Sequence, residues 1–152
     1  MSEITRISRL LTKSFEKNAW HGPSVREVLA QISPADSKKR LPNTHSIIEL
    51  VAHMTAWRVF AVHKLSGDDG YRVGEEMNFP QLDDWLRAVR ELEESQAALL
   101  DAIGRLPEGR LAELVPHHEL RYTFYTLLHG IIHHDLYHLG QIILIHKAAM
   151  QS

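Results

Sequence analysis

The spacing of apolar residues along the chain predicts four long helices and one short helix. The long helices are expected at about residues 3–19, 46–66, 82–105 and 123–149, and the short helix is expected to begin at Ser24. Residues 33–43 are polar and predict a loop. Because no alternation of apolar and polar residues persists long enough for a sheet, we expect one all-α domain over residues 1–152, a four-helix bundle with an extra short helix.

Three hydroxyl residues mark the expected helix starts. Ser24 is followed by Glu27, and Ser46 by Glu49, at the spacing of a capping box. In that motif the serine and the glutamate each accept a hydrogen bond from a backbone N–H that has no partner within the helix. Thr123 is expected to cap the last long helix in the simpler way, through its hydroxyl alone.

The last predicted helix carries two histidines on one face. His134 and His138 lie one turn apart and about 40° apart around the helix axis, within an apolar stripe. Imidazole nitrogens on such a stripe need partners, and one metal ion would satisfy both histidines. Two alternatives stay open at this point: a chance pair among the 11 histidines, or buried histidines that form ordinary hydrogen bonds.

Asp135 gives residues 134–138 the form His-Asp-Leu-Tyr-His, which differs by one residue from the zincin motif H-E-x-x-H. In a zincin the glutamate is the general base of a metal-dependent hydrolase. Aspartate is one methylene shorter, and this one lies about 80° from the midpoint of the histidine pair. We therefore expect Asp135 to support a metal ligand without binding the metal itself, or to lie at the surface, rather than to be catalytic.

A third ligand is needed, because two histidines do not hold a zinc-type ion well. His53 is the best candidate, since it lies midway along the second long helix, at the edge of its apolar stripe. Leu50 and Trp57 are its neighbours on that stripe. The alternative is that His53 is an ordinary residue at the border between an apolar and a polar face.

Two segments resemble the DinB/YfiT-like family. Residues 41–57 (LPNTHSIIELVAHMTAW) resemble its second-helix motif, in which Ser-hydrophobic-x-Glu-hydrophobic leads to a metal-binding histidine, with tryptophan or another large residue four positions later. Residues 128–142 (LHGIIHHDLYHLGQI) resemble its signature, a metal-binding H-x-x-[YF]-H followed by x-G-Q. The likeness covers nearly the whole chain in the order and length of the helices.

The resemblance implies an up-down-down-up bundle in which His53, His134 and His138 hold a divalent metal ion, zinc or nickel first and iron as a further candidate. It also implies a thiol S-transferase or related enzyme, with a small-molecule thiol and an electrophile as partners. Relatives include transferases that use bacillithiol, mycothiol or glutathione, and a mycothiol-dependent isomerase. His133 is a departure, because relatives often carry glutamine there, and the choice of ligand between His133 and His134 needs a test.

Three imidazoles leave coordination positions open, which is typical of a catalytic rather than a structural site. No catalytic residue is assigned. Several residues flank the three histidines and are candidates for orienting ligands or substrate, with packing or capping as the alternative: Gln141, Tyr137, Glu49, His45 and Trp57. Two other functional classes stay open, a non-enzymatic metal-binding or stress-related protein and a bundle that binds a ligand without metal.

Composition narrows the possible partners and the expected cellular location of the protein. The net charge of −2 gives no basic surface for nucleic acid, and the chain has no cysteine for a disulfide, a thiolate ligand or a nucleophile. The first nine residues carry no apolar run of the signal-peptide kind, and no segment approaches the roughly 18 apolar residues that span a bilayer. We expect a cytoplasmic protein without a membrane partner.

The apolar surface of two helices predicts self-association. The second long helix is apolar on nearly all sides, and the last helix has a second apolar stripe beside its histidines. A helix at the rim of a bundle needs only one such stripe. We therefore predict a homodimer that buries the second stripes, with the alternative that Val25, Val28 and Leu29 of the short helix cover them within one chain.

Overall fold

The structure, a computed structural model, describes residues 1–117, 119 and 121–151. Within these residues the regular structure is helical, apart from an isolated bridge between Leu114 and Thr123. The helices are α1 (Glu3–Phe15), α2 (Val25–Leu29), α3 (Pro34–Ser37), α4 (Ile47–Leu65), α5 (Glu75–Asn78), α6 (Trp85–Arg105), a 3-10 turn (Glu108–Ala112) and α7 (Phe124–Met150). The all-α prediction is confirmed.

The predicted helix starts are confirmed by their hydrogen bonds. Ser24 and Glu27 form a complete capping box at the start of α2, and Ser46 and Glu49 form another at the start of α4. The hydroxyl oxygen of Thr123 accepts a hydrogen bond from the backbone N–H of Thr126 at 3.2 Å and caps α7. These contacts satisfy N–H groups that the first turn of a helix leaves free.

Two predicted boundaries were wrong. α1 ends at Phe15 rather than at residue 19, because Asn18 takes a positive φ of 59° that interrupts the helix. The Ser24 hydroxyl then donates to the carbonyl oxygen of Glu16 at 2.8 Å, which satisfies the end of α1. α6 begins at Trp85 rather than at residue 82, because the Asp84 carboxylate accepts from the backbone N–H of Arg87 and caps the helix there.

Two short helices lie between the predicted long helices: α3 is in the segment predicted as a loop, and α5 is between the second and third long helices. α3 is one turn long and begins with Pro34 at its first position, a place where the missing N–H of proline costs nothing. α5 is equally short and contains no buried residue. The pattern of apolar residues does not reveal such helices, because a single turn has no repeat to detect.

The four long helices pack around a shared interior. α4 packs against α6 and α7, and α1 packs against the same two helices. α2 lies against α7, and α5 lies against α4. These contacts fit a four-helix bundle, and the up-down-down-up order of the helices stays a prediction.

The interior consists of two apolar clusters with buried polar groups between them. One cluster joins α2 to the first parts of α4 and α6 and the last part of α7, and the other joins α1 to the opposite parts of those helices. Three buried side chains lie on α4, α6 and α7 between the positions that belong to each cluster: Arg58, Gln96 and Asp135. We call these three residues the polar layer.

The polar layer connects all four long helices. The Arg58 guanidinium on α4 donates to the Gln96 side-chain oxygen on α6 and to the Asp135 carboxylate on α7. Gln96 in turn donates through Nε2 to the carbonyl oxygen of Leu11 on α1, at 3.4 Å. Arg58, Gln96 and Asp135 are 0%, 2% and 1% exposed, so these hydrogen bonds are shielded from water.

The second apolar stripes are covered partly within the chain. Ile48 on α4 and Leu139 on α7 are buried in the same cluster as Val25, Val28 and Leu29 of α2. The alternative to the homodimer, in which α2 covers these stripes, therefore accounts for part of them. No helix in the described part of the chain has the length and apolar character needed to cross a bilayer.

Candidate metal centre

His53, His134 and His138 come together although 81 positions in the sequence separate the first two. The Nε2 atom of His134 lies 3.0 Å from Nε2 of His53 and 3.1 Å from Nε2 of His138. Ligand nitrogens around a tetrahedral zinc ion are about 3.3 Å apart, given Zn–N bonds of about 2.0 Å. The three nitrogens are therefore close to the spacing of a metal site. His133, by contrast, is exposed and lies outside this cluster.

Hydrogen bonds to oxygen atoms orient two of the imidazoles. His53 donates through Nδ1–H to the backbone carbonyl oxygen of Asn78 at 2.6 Å. His138 donates through Nδ1–H to the side-chain oxygen of Gln141 at 2.7 Å. Because each ring carries its proton on Nδ1, the Nε2 atom of each presents a lone pair to the cluster. Such oxygen partners are what histidine ligands use to fix ring orientation in metal sites.

Burial keeps the three histidines uncharged at neutral pH. Loss of hydration lowers the pKa of His134 to about 3, and the neighbouring His138 and His53 lower it further. Loss of hydration also lowers the pKa of His53 and of His138, against the opposing effects of Asn78 and Gln141. Neutral imidazole is the form that binds a metal ion.

The cluster fits a divalent cation by its unsatisfied groups. With the lone pairs of His53 and His138 turned inward, a single proton on Nε2 of His134 could serve only one of them at a time. A buried polar group without a partner is costly, and one cation among the three Nε2 atoms would satisfy all of the inward lone pairs. The three-histidine site could therefore hold a metal ion.

Of the five flanking candidates, three lie around the cluster. Gln141 contacts His138 as described, and the indole N–H of Trp57 donates to the side-chain oxygen of Asn78 at 2.9 Å. His45 stacks on Phe79, with ring centroids 3.6 Å apart, and Phe79 stacks on His53 at 4.1 Å. These residues hold the rings of the cluster in place.

The other two candidates have different surroundings. The Glu49 carboxylate accepts from the backbone N–H and the hydroxyl of Ser46 and pairs with Arg40 at 3.2 Å, so it caps α4. Tyr137 is 67% exposed, and its ring meets the His138 ring edge-on at 5.0 Å between centroids. Within the described part of the chain, neither Glu49 nor Tyr137 makes a polar contact with the three Nε2 atoms.

Sequence reasoning missed Asn78, the last residue of α5, and Phe79, which follows it. Asn78 supports both His53 and Trp57, and Phe79 lies between the rings of His45 and His53. The contact of Asn78 with His53 is made by its backbone carbonyl, which every residue type has. The identity of residue 78 could therefore not have indicated this contact.

Asp135 belongs to the polar layer and not to the surface, so the surface alternative for this residue was wrong. It is buried, and its carboxylate accepts from Arg58. Burial raises the pKa of Asp135, and the guanidinium of Arg58 opposes that rise. Because Asp135 is next to His134 in the sequence, the polar layer and the three-histidine cluster share one turn of α7.

Comparison with known proteins identifies one family. The family model described as the DinB superfamily matches residues 19–142, most of the chain. No curated protein and no solved structure matches the chain at a significant level. The matched region contains His53, His134 and His138 and all of α2 to α6. The chain belongs to the DinB superfamily.

Proposed function

We propose that this protein is a metal-dependent transferase that joins the sulfur of a low-molecular-weight thiol to an electrophile. The observation that carries the proposal is the convergence of His53, His134 and His138, whose ligand atoms lie within 4.8 Å of one another. Among the described residues, no fourth histidine, cysteine or carboxylate joins the cluster. Such a donor set leaves coordination positions for a substrate, and it suits zinc or nickel, with iron as a further candidate.

A divalent cation held by these histidines would act as a Lewis acid and favour the thiolate form of a bound thiol. The chain's own contribution is position, since α4 presents His53 and α7 presents His134 and His138. The sulfur must arrive with a cosubstrate, because the chain has no cysteine. In the reaction the thiol releases its S–H proton, sulfur forms a bond to carbon, and the leaving group departs with its bonding electron pair.

The test is a screen of zinc-loaded and nickel-loaded protein with glutathione, bacillithiol and mycothiol against two chlorinated electrophiles, 1-chloro-2,4-dinitrobenzene and monochlorobimane. We expect conjugate formation above the uncatalysed rate with at least one pair, lost on chelation and restored by the metal. His134→Ala should abolish it, and His133→Ala, an exposed neighbour on the same helix, should retain it. No turnover by fully loaded protein would contradict the proposal.

Such a failure would favour a non-enzymatic metal-binding or stress-related protein. The metal content of the purified protein separates both of these functions from a bundle that binds a ligand without metal. The hydrolase alternative has less support, because the carboxylate of Asp135 is buried against Arg58 instead of facing the three histidines. An ion-paired, buried carboxylate is poorly placed to take a proton from water in an open site.

Homodimerisation stays a proposal, and its support now comes from the outer face of α7. Tyr137 and Leu144, two turns apart on one side of the helix, are 67% and 59% exposed there. Large exposed apolar side chains along one helix are typical of an interface between subunits. Sedimentation equilibrium at micromolar concentration is expected to give twice the chain mass, and a mass near 17.4 kDa would contradict the dimer.

A further inference from the structure

A cavity of about 250 Å³ lies against the metal centre on the side of His134. Its walls include Trp57 and Phe60 of α4, Tyr122, and Leu127, Ile131 and His134 of α7. Because His134 belongs both to these walls and to the three-histidine cluster, a molecule in this cavity would lie beside the metal centre.

The walls of the cavity are mostly apolar, and its aromatic rings contact one another. Trp57 and Phe60 meet edge-on with ring centroids 5.2 Å apart, and Trp57 meets the His134 ring at 6.2 Å in the same manner. The Trp57 indole is also held by its hydrogen bond to Asn78. Edge-to-face contacts of this kind favour aromatic neighbours, and fixed rings form a preformed site that costs little to order.

No aspartate, glutamate, lysine or arginine is among the described residues that line the cavity. A charged group placed there would lose part of its hydration without gaining a counter-charge. A second cavity of about 330 Å³, which includes Thr44 and His45, also offers the side-chain amides of Asn43 and Gln141, a group that the cavity beside His134 lacks. The polar body of a low-molecular-weight thiol is therefore poorly suited to the cavity beside His134.

We propose that the cavity beside His134 is the subsite for the electrophile, and that it takes an uncharged aryl group with a short substituent. An apolar cavity of about 150 Å³ accommodates benzene, so the larger volume here has room for a ring with a few further atoms. The role of the bound molecule as electrophile rests on the proposed transferase function. The binding preference for uncharged aryl groups does not.

Gly130 offers a way to fill the cavity. It is an exposed residue of α7 that lines the cavity, and a Cβ atom added there would meet nothing within 4 Å. Gly130→Leu should therefore place its side chain in the cavity without disturbing the helix, where leucine is a better residue than glycine. Gly104→Leu is the matched control, since Gly104 is an exposed helical glycine of α6 with equally open surroundings and no part in the cavity.

The experiment measures binding of two fluorinated probes, 4-fluoroanisole and 4-fluorobenzoate, by fluorine NMR on metal-free protein without thiol. Wild type and Gly104→Leu should bind the uncharged 4-fluoroanisole equally. Gly130→Leu should bind it with an affinity lower by a factor of about ten or more. The charged 4-fluorobenzoate should bind wild type about tenfold more weakly than 4-fluoroanisole. Thr126→Phe, a second variant in the cavity wall, should repeat the loss if Gly130→Leu does not fold.

Equal binding of 4-fluoroanisole to wild type and to Gly130→Leu would overturn the inference, as would equal binding of the two probes or no binding at all. The outcome is separable from that of the thiol screen. Aryl binding that is lost in Gly130→Leu, without turnover in the screen, would leave the subsite standing and remove the transferase function. Turnover without aryl binding would support the transferase function and contradict the subsite.

Discussion

Replacing Arg58 by methionine is expected to lower the free energy of unfolding by about 3–5 kcal/mol, as measured by urea denaturation. Arg58 is 0% exposed and donates to both Gln96 and Asp135. Without the guanidinium, the buried Asp135 carboxylate keeps its desolvation cost and loses its counter-charge. Removing one partner of a buried pair is for that reason far more costly than removing one partner of an exposed pair.

Two further variants separate charge from packing. The double variant Arg58→Met/Asp135→Leu leaves no buried charge and should recover most of the lost stability, since an apolar pair of similar volume often replaces a buried ion pair without loss. Arg105→Met breaks an exposed ion pair with Asp101 on α6 and should change stability little. If Arg58→Met were as mild as Arg105→Met, the polar layer would not stabilise the fold.

Removal of any one histidine of the cluster is expected to weaken binding of zinc by about 100-fold or more. His53→Ala, His134→Ala and His138→Ala each leave two imidazoles, which cannot fill the coordination sphere. Competition with a chromophoric chelator measures the affinity, and elemental analysis of the purified variants measures the metal content.

The same titration should give a graded series. Gln141→Met removes the acceptor that orients His138. It should weaken zinc binding by about 10-fold to 100-fold, the usual effect of removing the hydrogen-bond partner of a metal ligand. His133→Ala should bind zinc as wild type does, because His133 is exposed and outside the cluster. If His133→Ala lost the metal and His134→Ala kept it, the assignment of ligands would be wrong.

The sequence allowed the helices and the cluster to be predicted because both depend on short-range repeats. A capping box is complete within four residues, and the i, i+4 spacing of His134 and His138 fixes their common face wherever the helix lies. His53 was a weaker prediction, because its approach to α7 is a long-range contact that no local pattern contains. The resemblance to known relatives supplied what the spacing alone could not.

The groups that hold the cluster in place were largely beyond prediction. Phe79 contributes stacking from a segment without apolar periodicity, and Asn78 contributes a backbone carbonyl. Arg58 and Asp135 pair across 77 positions in the sequence. Each is a charged residue type, which in a single helix is expected at the surface. Only the assembled interior shows that they are buried together.

The polar layer also determines how the helices can be aligned along their length. α4 is apolar on nearly all sides and α7 has two apolar stripes, so a chain that slid either helix by one turn, about 5.4 Å, would still bury aliphatic surface. Such a slip would move Arg58 away from Gln96 and Asp135 and leave a guanidinium among aliphatic side chains. Polar groups that are satisfied in one alignment only exclude the competing compact states, as a single buried asparagine does in a coiled coil. The three buried residues of the polar layer thus give α4 and α7 a unique register, and with it the height at which His53 meets His134.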